Sequence, residues 1–146
     1  MFGSNKGRMT KEGIRIYEDA DFAGMAAAGK LAAEILDDVA ELVTVGQTTS
    51  VLDKFIEDRV KAAGAISATI GYKGYKHASC ISVNHVVCHG IPGDKKLKDG
   101  DIINIDVTVI VDGWFGDTSR MYVAGKLSRK TERLLQVTHD ALFKGI

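Results

Sequence analysis

The sequence predicts an α+β fold in which helices pack on an antiparallel-rich sheet. Three observations carry that expectation. Apolar residues recur at three-to-four spacing in two stretches of the first 64 residues. Residues 65–125 are instead rich in β-branched and aromatic side chains, punctuated by glycine. Helical spacing returns beyond Ser128.

Taken in order, residues 1–13 read as a polar tail. Over 18–43, Phe22, Met25, Leu31, Ala32, Ile35, Leu36, Val39, Leu42 and Val43 form one apolar stripe, the mark of an amphipathic helix. Gly46 suits its termination. Thr48, Thr49 and Ser50 offer N-caps for a second helix, and Asp53 favours its start. Val51, Leu52, Phe55, Ile56 and Val60 supply its stripe, which ends near Gly64. The stretches 65–75, 78–90 and 101–125 read as strands. Gly93-Asp94 and Asp99-Gly100 bracket a charged turn, Lys95-Lys96-Leu97-Lys98. Ser128 to Thr131 supply caps for a last helix carrying Leu134, Leu135, Val137, Ala141 and Leu142.

Composition narrows the function classes. The chain has 146 residues, 45% hydrophobic and 26% charged, which excludes intrinsic disorder. Basic and acidic residues balance at 19 each, so no electrostatic footprint for nucleic acid or an anionic membrane exists. No apolar run approaches the roughly 20 residues of a membrane span. The opening residues MFGSNKGR lack the apolar segment of a secretory signal. The two cysteines, Cys80 and Cys88, form no disulfide framework, and a reducing, cytoplasmic setting is expected.

Residues 101–123 are the most informative. Asp112-Gly113 between two β-rich runs is a hairpin signal. A two-residue turn there registers Val111 with Trp114 and Thr108 with Asp117. Asp106 shares the face of Thr108 by strand alternation. Asp106 and Asp117 are thus diagonal neighbours, roughly 7 Å apart at the backbone. Ile105, Val107 and Val109 take the other, core-like face. Aspartate is depleted from strands, and two like charges repel. A cation between them resolves both difficulties. The bland alternative is an aspartate that merely faces solvent or a turn.

Other residues are less distinctive. His89 follows Val86-Val87-Cys88 and precedes Gly90-Ile91-Pro92, a strand end opening into a turn at a sheet rim. Taken alone it is a structural or a catalytic histidine. Cys80 and Cys88 read as small apolar residues. Tyr72 and Tyr75 are ordinary strand aromatics or pocket walls. His77 and His85 have no distinguishing neighbours, and His139 reads as surface. Asp117-Thr118-Ser119 has the form of an aspartic-protease signature, but Gly116 precedes it where an apolar strand is usual, and that reading leaves Asp106 unexplained.

The runs NHVVCHGIP and DGDIINIDVTVIVDGWFGDTSRMY, with GYKGY and the helical AAGKLAAEIL, closely resemble the type I methionine aminopeptidases of bacteria. The resemblance spans residues 18–146. It implies the pita-bread fold, two pseudo-symmetric α+β halves around a dinuclear metal site. It implies that Asp106 and Asp117 are two of the metal ligands, Asp117 bridging both ions. The ions would be two divalent metals, cobalt, manganese, iron or zinc. His89 would be catalytic and substrate-binding near the scissile amide. Tyr72, Tyr75 and Cys80 would line the methionine side-chain pocket, with Thr69 where some members have a cysteine.

The resemblance further implies hydrolytic removal of the N-terminal methionine in the cytoplasm. The partners would be nascent polypeptide N-termini and, transiently, the ribosome, with no membrane and no nucleic-acid motif. Residues 14–146 are then expected to be the N-terminal half of the catalytic domain. The family's remaining ligands, a histidine and two glutamates, belong to a C-terminal half that is absent here, so this chain alone is expected to be inactive. The competing function class is a non-catalytic pita-bread peptide-binding module, which would have no need for a carboxylate pair.

Overall fold

A computed structural model describes residues 7–146. Part of the expected polar tail, residues 1–6, lies outside the described residues. The rest of it is ordered into a small ribbon, β1 (Arg8–Met9) and β2 (Arg15–Ile16), paired antiparallel. Thr10 N–H donates to the Ile14 carbonyl at 2.8 Å, and the Thr10 hydroxyl accepts from Ile14 N–H, closing the turn locally.

The first predicted helix is α1 (Asp19–Val39), continued by a single 3-10 turn over Ala40–Leu42. Glu18 caps it in a reciprocal box with Asp21. The second is α2 (Thr49–Ala62), with Thr48 in the N-cap position but no side-chain capping hydrogen bond. Their stripes bury Ala32, Ile35, Leu36, Val39, Leu52, Ile56 and Val60 in one core.

The sheet is built around β5 (Asp101–Val111). Along one edge β5 pairs with β6 (Trp114–Ala124), antiparallel over their whole length. Its other edge is shared end to end by β3 (Ile66–Ser67) and β4 (Ser79–Val83). Ile103, Ile105, Val107 and Val109 are fully buried under the helices. The alternate residues form the opposite, half-open face. Asp112 and Gly113 both have positive φ, +49° and +80°, the conformation of the two-residue hairpin turn expected from Asp-Gly.

Close approach of α1 to β6 needs two glycines. A Cβ on Gly24 would enter the Trp114 ring, and one on Gly116 would enter the backbone of Ala28 and Gly29. Tyr122, also on this side, donates to the Leu36 carbonyl at 2.6 Å.

Two predicted strands shrink. Only Ile66–Ser67 and Ser79–Val83 pair, because β5 offers one free edge and those segments fill it. Tyr72–Gly74 is a 3-10 turn flanked by Gly71 and Gly74 at positive φ. Residues 84–92 are a loop in which Val87 is 90% exposed: β propensity without a partner edge makes no strand. Asn84 ends β4, its side chain donating to Asp101 Oδ1 at 2.8 Å and accepting from Ile102 N–H at 3.1 Å. The charged turn at 95–98 is stitched to the loop before α2, with Leu97 buried and its N–H donating to the Gln47 carbonyl. The last helix, α3 (Arg129–Gly145), has Ser128 as its cap and no buried residue.

Candidate functional site

The hairpin register is the one the Asp-Gly turn predicts. Val111 faces Trp114 and Thr108 faces Asp117, so Asp106, opposite Ser119, lies diagonal to Asp117 on the half-open face. Across the other edge Asp106 faces Cys80. The Thr108 hydroxyl donates to Asp117 Oδ1 at 3.0 Å, orienting that carboxylate.

The two acids interact directly. Burial, and then the neighbouring negative charge of Asp117, push the Asp106 carboxyl above its ordinary value. His89 acts in the opposite sense, so it lies within electrostatic range of Asp106. The structure therefore brings Asp106 and Asp117 together, with His89 within electrostatic range on a loop into which no strand leads. Gly90 docks the loop on β4: its carbonyl accepts from Ile81 N–H at 2.8 Å and its N–H donates to Ser82 Oγ at 3.0 Å. His89 itself sits at φ +55°, a left-handed conformation that histidine adopts more readily than most residues.

Two of the expected pocket residues also converge. Tyr75 donates to the Ser79 carbonyl at 2.9 Å and accepts from Cys80 Sγ at 3.6 Å. Burial raises the Tyr75 phenol strongly and the Cys80 thiol as well, so both keep their hydrogens at neutral pH. Tyr72 is 67% exposed, with Lys73 lying over its ring. The Thr69 hydroxyl donates to the His77 carbonyl at 2.7 Å.

One cluster was not legible as a unit. Asp53, read as a helix-start acid, is buried, and His77, read as featureless, contacts it through Nδ1 at 3.0 Å. Its signal was positional: Asp53, Ile56 and Val60 lie at i, i+3 and i+7, so Asp53 sits on the core stripe. His139 is exposed, packed on Phe143.

A divalent metal suits the donors at the β5–β6 site. Two like-charged carboxylates share one face, and burial together with the neighbouring charge raises Asp106, which is the arrangement a cation relieves. Among the described residues, no group of three or more His, Cys, Asp or Glu side chains could hold a metal ion. Among the described residues, no helix is long and apolar enough to cross a membrane.

Comparison with known proteins places this geometry among peptidases. The sequence profile of metallopeptidase family M24 matches residues 23–146. Methionine aminopeptidase of Rickettsia prowazekii is 54% identical over 133 residues, which is 91% of this chain and 51% of that protein. Its crystal structure superposes with a TM-score of 0.89 over 91% of this chain and 54% of its own. Methionine aminopeptidase of Escherichia coli K12 is 49% identical over 132 residues, 89% of this chain and 50% of that protein. The Thermotoga maritima methionine aminopeptidase structure is 34% identical, with a TM-score of 0.86 over 91% of this chain and 54% of that one. The chain spans about half the length of the curated relatives it matches.

Proposed function

Since the chain belongs to metallopeptidase family M24 and superposes on about half of a pita-bread relative, we propose that it supplies the N-terminal half of a methionine aminopeptidase. The observation that carries the reading is the diagonal placement of Asp106 and Asp117 on the open face of the sheet. A peptide-binding module without chemistry gives no reason for two repelling carboxylates there.

In this reading Asp106 and Asp117 hold two divalent ions jointly with side chains from outside this chain. Such ions supply Lewis acidity and an acidified water. Thr108 keeps Asp117 oriented. His89, presented from the loop at the rim, donates to the substrate amide and stabilises negative charge developing on its oxygen. Tyr72, Tyr75 and Cys80 form the side-chain pocket, where sulfur–aromatic contacts favour methionine. The substrates are nascent polypeptide N-termini, met transiently at the ribosome in the cytoplasm.

A chimera tests this. Residues 1–146 are joined to the remaining half of the Rickettsia prowazekii relative and assayed on a Met-Ala-Ser peptide with Co²⁺ or Mn²⁺. The expected result is release of methionine, inhibition by EDTA but not by pepstatin, and loss of activity in Asp117→Asn. A folded chimera that releases no methionine, or full activity in Asp117→Asn, refutes the assignment. Inhibition by pepstatin and not by EDTA would revive the aspartic-protease reading.

A further inference from the structure

We infer that Asp53 and His77 are positioning residues for the side-chain pocket: the α2 carboxylate holds, through His77 and Ser79, the Tyr75–Cys80 wall that stands beside Asp106. The inference rests on the proposed reading of that wall as a methionine pocket.

Asp53 lies on the core face of α2, only 7% exposed, beside Leu52 and one turn before Ile56. A carboxylate there is strongly unfavourable unless it is hydrogen-bonded. His77 and Ser79, which hydrogen-bond to it, lie in one segment. Oδ1 accepts from Ser79 N–H at 2.9 Å and from Ser79 Oγ at 2.7 Å. Oδ2 faces His77 Nδ1 at 3.0 Å. A carboxylate oxygen accepts, so this contact places a ring hydrogen on Nδ1.

Both branches end on Tyr75. The His77 ring packs edge-on against the Tyr75 ring, centroids 5.5 Å apart at 63°. The Ser79 peptide, tethered through its N–H, presents the carbonyl that accepts from Tyr75 OH. Cys80, the next residue, donates its thiol hydrogen to that phenol and registers with Asp106. The stretch between Gly71 and Ser79 contains a turn with three residues at positive φ, Gly71, Lys73 and Gly74, and no strand pairing. Its placement therefore depends on side-chain ties, and Asp53 supplies the charged one.

The two cysteines of the chain provide a readout that needs no activity. Cys80 is half-buried against Tyr75, whereas Cys88 is exposed and serves as an internal reference. Site-resolved alkylation by iodoacetamide is expected to be slower at Cys80 than at Cys88. His77→Ala is expected to raise the Cys80 rate about tenfold relative to Cys88, the scale of losing a hydrogen bond to a charged group in a local opening equilibrium. His77→Asn, whose amide N–H replaces Nδ1–H, is expected to stay near the wild-type rate. Asp53→Asn is expected to move the His77 ring hydrogen from Nδ1 to Nε2, read by ¹⁵N NMR.

An unchanged Cys80 rate in folded His77→Ala, or an unmoved ring hydrogen in Asp53→Asn, overturns the inference; should His77→Ala not fold, the NMR result decides. The methionine reading is judged separately by turnover of the chimera. In an active chimera His77→Ala is expected to raise KM and spare kcat, and a loss confined to kcat also overturns it.

Discussion

Gly116→Ala is the perturbation that most directly tests how the site-bearing hairpin is held. Gly116 is buried in β6, opposite Val109, and it immediately precedes Asp117. A methyl group added there would enter the Ala28 carbonyl and the Gly29 nitrogen, well inside contact distance. Both are helix backbone, and Ala28 is fully buried, so no flexible side chain can swing away. Overpacking of this kind typically costs about 1–3 kcal/mol, and a rigid helix backbone puts this case at the upper end.

For a chain of this size each kcal/mol lowers Tm by roughly 2–4 °C, which gives an expected drop of about 5–12 °C. Gly29 supplies the control. It lies in the same contact, yet a Cβ on it meets nothing within 4 Å. Gly29→Ala is therefore expected to gain about 0.5–1 kcal/mol from reduced chain entropy, raising Tm by about 1–4 °C. Thermal unfolding followed by circular dichroism, and by the fluorescence of Trp114 near Gly24, measures both. Equal signs for the two substitutions, or an unchanged Tm in Gly116→Ala, would refute the packing argument.

Three further outcomes are expected. In metal-free chain, Asp106 has a folded-state pKa above its unfolded value. It therefore favours the folded state least once pH has risen from the ordinary carboxylate range through that raised value; Asp106→Asn should give the higher urea midpoint at neutral pH and no advantage in acid, and equal midpoints throughout would contradict the repulsion. In the chimera, His89→Ala should lower kcat by about 10²–10⁴ with metal stoichiometry intact by calorimetry; lost stoichiometry with full turnover would make His89 a ligand instead. The 146-residue chain by itself should show no turnover with Co²⁺ or Mn²⁺ and should self-associate in light scattering, because α3 exposes Leu134, Val137, Leu142 and Phe143 and the open sheet face exposes Phe115 and Met121. Soluble monomer with turnover would mean a site built differently.

The register that unites Asp106 with Asp117 was legible in the sequence because it is local. An Asp-Gly turn leaves one pairing, and strand alternation then assigns every side chain to a face. The helices were legible for a similar reason, since their stripes repeat over several turns and Gly46 and Gly64 mark where they give way to loops. His89 was expected at a strand end opening into a turn, but residues 84–92 are a loop. The valines before it looked like strand, and the docking of Gly90 on β4 does the positioning.

What the amino-acid sequence determined by itself is thus the part governed by periodicity and turn chemistry: two amphipathic helices, a carboxylate-bearing hairpin, a capped final helix. Tertiary structure decided which β-prone segments became strands, because pairing needs a free edge and β5 has one, filled by β3 and β4. It also decided the role of Asp53. A helix-start acid and a buried hydrogen-bond acceptor look alike in one dimension. They differ only through contacts with His77 and Ser79, more than twenty residues away, and burial makes those contacts obligatory.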